Sequence, residues 1–281
     1  MRDALRVAAL ALALAAGLAR PAAAQTPEEP SLIFSIYGGM TAGGDLWSIP
    51  RQLVFATNNG GNVFDSVSLH RRLRTSFLAS LTATYFRSQH LGYTLEAGFF
   101  GLGMEASCAP LAPFAPVAPS PPNQQACAYF QGLEERADAV GLLGGLTYRV
   151  TSRGLQPYVR AEAGGAIIGS SFVEMAAPTL ASDGSQHLVY FLADPNHREL
   201  TWMVSLGVGV MLPLGPGYQL RLEARDIIVP LPRPLGPATD TAAVAAGSDL
   251  PQPPIGWKVM HVPGFSVAFD VVLERRRGRR Y

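Results

Sequence analysis

The amino-acid sequence predicts an all-β protein in which eight antiparallel strands close into an up-and-down transmembrane barrel. Three observations predict this fold. Hydrophobic residues alternate with a period of two, short and long connections alternate along the chain, and every apolar stretch after residue 24 meets a charge, glycine or proline before it could form a membrane helix. The predicted strands are 32–42, 72–86, 91–105, 138–151, 155–174, 200–213, 218–228 and 262–274.

The alternation separates an apolar face from a face of small or charged residues. In segment 200–213, Trp202, Leu206 and Val208 share the apolar face, and serine and glycine occupy much of the other. In segment 218–228 the second face is charged instead. The adjacent pair Ile167 and Ile168 interrupts the pattern, and we expect a β-bulge there.

The connections are of two kinds. Those at 87–90, 151–154 and 213–217 are short and rich in polar residues, glycine or proline, which predicts tight turns. The other four are far longer than ordinary loops. They span residues 43–71, 106–137, 175–199 and 229–261. Three short turns at one rim and four long loops at the other place both termini at the short-turn rim.

The first residues predict export. Arg2 and Arg6 precede an apolar run from Val7 to Leu18, and small residues end at Ala24, so residues 1–24 are typical of a signal peptide. The alternative, a membrane anchor, is disfavoured because the run is short. Residues 25–31 then form a polar leader, 32–274 the barrel and 275–281 a basic tail.

Export also bears on the cysteines. Cys108 and Cys127 flank a proline-rich segment, and an oxidising compartment favours a disulfide between them. Such a bond would contribute about 3 kcal/mol by restricting the unfolded chain. Two thiols are too few for a metal site.

Alternation alone does not decide whether the apolar face meets lipid or lines a soluble calyx. The other face holds mainly Gly, Ser, Thr and Ala with isolated charges, which suits a crowded interior better than a water-exposed surface. Aromatic residues of the apolar face lie close to the predicted strand ends, as in the aromatic girdles of membrane barrels, although aromatics favour strands in general. These residues are Tyr85, Tyr93, Tyr148, Tyr218, Trp202 and Phe265.

The predicted interior carries as many acidic as basic residues. They are Glu96, Arg149, Arg160, Glu162, Arg221, Glu223, Arg225 and Asp270. A narrow barrel is filled by side chains, so we expect a paired ionic network that keeps buried charges compensated. A selective channel lined by the same charges is the alternative.

These features resemble the small outer-membrane barrel domains of the outer membrane protein A and X type, over about residues 31–274. The resemblance rests on strand sequences such as Gln156–Gly164 and Tyr218–Asp226, and on the alternation of short turns with long loops. It implies contact with outer-membrane lipid in a Gram-negative-type bacterium and insertion by the barrel assembly machinery. The family usually ends on an aromatic assembly signal; here Tyr281 or the segment Phe269–Leu273 would supply it.

The sequence contains no catalytic or cofactor-binding motif that we recognise. Gly101–Gly103 and Gly207–Gly209 lack the third glycine of a dinucleotide loop, the histidines have no zinc-ligand spacing, and no His-x-Ser pair occurs. A net charge of +1 indicates no nucleic-acid partner. We therefore expect no cofactor and a structural or adhesive role. A narrow pore or a small-ligand or lipid-binding barrel is the alternative, and a lipid A-modifying enzyme is the third.

Overall fold

The computed structural model describes residues 31–58, 61–111, 121–131, 134–135, 137–180, 186–194, 199–238 and 251–274. The predicted signal peptide, the leader apart from Ser31, and the basic tail lie outside these residues. Among the described residues, no helix is long and apolar enough to cross a membrane.

The described residues form fourteen strands and one helix. In chain order they are β1 (Ser31–Thr41), β2 (Asp45–Asn58), β3 (Gly61–Leu73), β4 (Ser76–Phe86), β5 (Leu91–Gly101), β6 (Met104–Pro110), α1 (Pro121–Tyr129), β7 (Glu134–Glu135), β8 (Asp138–Arg149), β9 (Gln156–Ile168), β10 (Met175–Leu180), β11 (Gln186–Leu192), β12 (Glu199–Gly215), β13 (Tyr218–Pro234) and β14 (Ile255–Glu274).

Eight of these strands close into a barrel in the order β1-β14-β13-β12-β9-β8-β5-β4. Every neighbouring pair is antiparallel, and β1 closes the ring between β14 and β4. Each barrel strand falls within or overlaps one predicted segment, so the predicted fold class is confirmed. Closure leaves the barrel without an open sheet edge, and its backbone groups pair between neighbouring strands.

Two predicted segments each span more than one strand. Segment 72–86 includes the end of β3, and segment 91–105 runs into β6. The predicted bulge at Ile167 and Ile168 is wrong, because the pairing of β9 with β8 and β12 runs through Ile168 without a register shift. The two isoleucines are the end of the strand, with Ile167 exposed and Ile168 buried.

The predicted long loops contain much regular structure. β2, β3, β6 and β7 form a four-stranded sheet, and β10 and β11 form a two-stranded one. β13 and β14 also continue as a paired hairpin to Pro234 and Ile255, beyond the last residues that pair with β12 and β1. We call this side of the molecule the cap: β2, β3, β6, β7, α1, β10, β11 and the hairpin beyond Ile228 and His261.

The predicted disulfide is confirmed. Cys108 on β6 is bonded to Cys127 on α1, and their Cα atoms are 5.1 Å apart. Both cysteines are buried in a large apolar core that fills the cap and continues into the cap end of the barrel. The bond therefore fixes the helix against the four-stranded sheet.

Candidate functional site

The outer face of the barrel is a continuous apolar band. In the described barrel strands, the outward positions between the short turns and the level of Phe265 hold only apolar residues and glycine. The six predicted girdle aromatics lie on this face and are between 44% and 55% exposed. The four tyrosines lie beside the short turns, and Trp202 and Phe265 lie toward the cap.

An exposed apolar band around a closed barrel fits a lipid environment rather than water. The inward positions carry the polar and charged side chains, which is the reverse of a soluble calyx. The fold is that of a small outer-membrane β-barrel.

Seven charged side chains from four strands meet inside the barrel. They are Glu96 on β5, Arg160 and Glu162 on β9, Arg221, Glu223 and Arg225 on β13, and Asp270 on β14, and all are buried. We call this set the lumen network. It combines three guanidinium groups with four carboxylates.

Arg160 lies at the centre of the lumen network. Its Nη1 is 2.9 Å from Oε2 of Glu96, its Nη2 donates to Oε1 of Glu223 at 2.5 Å, and its Nε is 3.4 Å from Oε2 of Glu162. Arg225 joins the same carboxylates, with 2.7 Å from Nη1 to Oε1 of Glu96 and 2.9 Å from Nε to Oε1 of Glu223. Two arginines therefore share two carboxylates.

Arg221 forms the second centre. Its Nε and Nη2 donate to Oδ2 of Asp270 at 3.0 and 2.9 Å. Its Nη1 donates to the hydroxyl of Tyr37 at 2.7 Å. The hydroxyl of Tyr158 donates to Oε2 of Glu223 at 2.5 Å, and the Arg221 guanidinium lies 5.3 Å from the Tyr158 ring centre.

Tyr37 and Tyr158 were not among the predicted site residues. The Tyr37 ring has the guanidinium groups of Arg160, Arg221 and Arg225 at 5.0, 5.6 and 5.0 Å from its centre, distances typical of cation–π contacts. The alternation of inward and outward positions could have predicted the position of Tyr158, because Tyr158 lies two residues before Arg160 and so shares its inward face.

Arg149 was predicted in the same network but makes other contacts nearer the short turns. Its Nη1 donates to the side-chain oxygen of Gln156 at 3.3 Å and its Nε to the backbone oxygen of Gln89 at 2.5 Å. Its guanidinium lies 4.1 Å from the centre of the Phe86 ring. This separation follows from its position as the last residue of β8.

Apolar side chains lie on both sides of the lumen network. Toward the short turns, Ile33, Phe86, Tyr158 and Met211 form a buried cluster. Toward the cap, Leu78, Phe100, Leu143, Met203 and Ile227 belong to the large core that extends into the cap. The lumen network thus has apolar side chains on both sides along the barrel axis, and toward the short turns these are mixed with buried polar residues such as Thr94 and Arg149.

The described residues contain no group of three or more His, Cys, Asp or Glu side chains arranged to hold a metal ion. His261 pairs with Asp226 at 2.7 Å, and His70 lies 3.4 Å from Asp45, both at exposed positions.

Comparison with known proteins finds structural matches only. No protein-family model and no curated protein sequence matches the chain. Similar solved structures include OprG, an outer membrane protein of Pseudomonas aeruginosa, with 12% identity over 89% of this chain and 98% of that one, at a TM-score of 0.42. Ail, the attachment invasion locus protein of Yersinia pestis, has 9% identity over 88% and 99% of the two chains at 0.37. The outer membrane protein AlkL has 12% identity over 92% and 98% at 0.36.

Proposed function

We propose that the protein is a plugged outer-membrane barrel that holds its folded cap at the cell surface for a structural or adhesive role. The observation that carries this proposal is the layered interior, in which the lumen network lies between two apolar clusters. A barrel filled in this way is a rigid support rather than a channel.

The ionic contacts favour a plug over a pore. A selective channel needs charged groups that remain hydrated and exchange ions. Here Arg160 and Arg225 are held by the carboxylates of Glu96 and Glu223, and Arg221 by Asp270. Such pairs lock side chains across the lumen instead of lining a water path.

The cap provides the surface for the proposed interaction. Its two sheets, its helix and the Cys108–Cys127 disulfide hold it in a defined shape, and its core is continuous with that of the barrel. Binding residues on such rigid supports need little ordering when a partner binds. The proposed partner is a molecule outside the cell that contacts the cap. Outer-membrane lipid surrounds the apolar band of the barrel.

Barrel assembly machinery is the second proposed partner. β14 is the last barrel strand, and Phe269 and Leu273 are exposed on its outer face, as an assembly signal would require. Tyr281, the other predicted candidate, lies outside the described residues.

Planar-bilayer recording of the purified protein tests the plug. We expect little steady conductance. Large and stable conductance would favour a channel and overturn the proposal.

Epitope insertion in intact cells tests the display of the cap. A tag after Gly236 in the cap should bind antibody on intact cells, whereas the same tag after Gly154 in a short turn should bind only after permeabilisation. Gly154 is a suitable control because it is exposed in the short turn between β8 and β9. Antibody binding to the Gly154 tag alone on intact cells would reverse the orientation and overturn the display role.

A further inference from the structure

A groove of about 600 Å³ opens between the edge strand β2 and the inner face of the β13–β14 hairpin. Its lining includes residues 45–50 of β2, His70, residues 233–237 and Lys258. This volume lies in the range of small-molecule sites. The groove belongs to the cap and is separate from the lumen network.

Two fixed positive charges line this groove. Arg233 and Lys258 stand on the inner face of the hairpin, because Arg233 pairs with Gly256 and Lys258 with Leu231 in the antiparallel register. Lys258 is the single lysine of the chain. Its Nζ donates to the backbone oxygens of Asp45 at 2.7 Å and Leu46 at 3.1 Å, which are neutral groups, and no carboxylate forms an ion pair with it among the described residues.

The Nε of Arg233 supplies a second, independent observation. This atom is buried and has no hydrogen-bond partner among the described residues, and Arg233 is one of the residues that line the groove. A guanidinium presents its donors in a planar fork that fits a carboxylate or a phosphate. The described lining holds a single carboxylate, that of Asp45, whose side chain is 79% exposed and lies 3.4 Å from His70.

The remaining walls are rigid and suit an organic molecule. Pro50, Pro234 and Pro237 have restricted backbones. The Trp47 indole also lines the groove and is held in place, since its Nε1 donates to the backbone oxygen of Phe172 at 2.8 Å and the Arg71 guanidinium lies 5.9 Å from its ring centre. The site is therefore largely preformed.

We propose that this groove binds a small organic molecule bearing an oxyanion, a carboxylate or a phosphate, with Arg233 and Lys258 as the groups that recognise it. The site goes beyond the structural or adhesive role of the cap. Two sources offer this chemistry at the cell surface, a free solute or the phosphate groups of the outer-leaflet lipopolysaccharide.

The single lysine makes a direct test possible. The full-length purified protein, folded in detergent, is treated with an amine-acetylating reagent, and acetylation of Lys258 is followed by peptide mass spectrometry. The probes are glucose 6-phosphate and galacturonate, with glucose and galactose as neutral controls. A separate arm replaces these sugars with purified lipopolysaccharide.

At a probe concentration of about ten times its Kd, acetylation of Lys258 should slow roughly tenfold, because the bound fraction is protected. Protection by the charged sugars identifies a soluble ligand, and protection by lipopolysaccharide alone identifies the lipid source. Added salt should weaken protection in either case.

Arg233→Gln should abolish protection, whereas Arg153→Gln, an exposed arginine in a short turn at the opposite end of the molecule, should retain it. Titration calorimetry of glucose 6-phosphate and of lipopolysaccharide with Lys258→Gln is the second measurement, and we expect no binding heat where the unaltered protein gives one. Equal acetylation rates with every probe and control would overturn the proposal. So would protection that persists in Arg233→Gln.

Discussion

The lumen and the cap differ in how plainly the sequence encodes them. Inside the barrel, alternate residues on regular strands face inward, so parity alone places Glu96, Arg160 and Glu223 on the inner face. In the cap, β2 contains Pro50 and its pairing with β3 shifts register twice, which breaks the period of two. Strands that cross a membrane need this regular alternation because their outer face must stay apolar, and the cap strands depart from it.

The lumen and the cap also differ in how deeply their ion pairs are buried. Glu223 is buried and contacts Arg160, Arg225 and Tyr158. Glu105 in the cap pairs with Arg72 at 2.7 Å and with Arg74 at 3.8 Å, but the side chains of both arginines are substantially exposed. Removing a carboxylate should therefore cost far more in the lumen than in the cap.

The largest expected effect is in the lumen. Glu223→Ala should destabilise the protein by about 3–5 kcal/mol, because it removes the buried carboxylate that pairs with both Arg160 and Arg225 and accepts a hydrogen bond from Tyr158. Adding Arg160→Ala should recover part of that loss. Denaturant unfolding in lipid vesicles measures the free energies of the two single variants and the double variant. Small, additive effects would contradict a plugged lumen.

On the outer face of the barrel, the free-energy cost of an arginine substitution should depend on the depth of the position in the bilayer. Leu206 is 47% exposed and lies near the middle of β12. Leu206→Arg should lower the unfolding free energy of the protein in a bilayer by about 2–4 kcal/mol. Leu200→Arg is the matched control on the same face, 78% exposed and close to the cap, and should lose about 0–1 kcal/mol. Equal losses at the two positions would mean that lipid does not cover the middle of the barrel.

The disulfide should matter to the cap and not to the barrel. Replacing Cys108 and Cys127 by alanine together should lower the stability of the cap by about 3 kcal/mol, because the unfolded segment gains freedom. Hydrogen exchange should show faster exchange in β6 and α1 and unchanged exchange in the barrel strands. Faster exchange throughout the barrel would show that the two regions unfold as one unit.

The smallest effect concerns Glu105. The hydrogen bond from Arg72 lowers the pKa of this carboxyl, so its contribution is present above its unfolded pKa and is lost as the pH falls through the lower folded value. Glu105→Gln should cost less than about 1 kcal/mol at neutral pH, since the pair is at the surface. Unfolding curves measured at neutral and acidic pH should show that the difference in unfolding free energy between the unaltered protein and Glu105→Gln becomes smaller as the pH falls. A difference that grows in acid would contradict this assignment.

The sequence by itself determined the eight barrel strands, their apolar outer face and the inward set of charges. It also indicated the Cys108–Cys127 pair. All of these follow from local patterns, because a strand turns each successive side chain to the opposite face and a short turn fixes its neighbour.

The tertiary structure alone decided which charges meet, since closing the ring brings β5, β9, β13 and β14 together across the lumen. It separated Arg149 from the network and brought Tyr37 among three arginines. It also revealed the sheets of the cap and the groove at Arg233 and Lys258. These features depend on contacts between residues far apart in the chain. Such contacts produce no periodic pattern in the sequence from which they could be predicted.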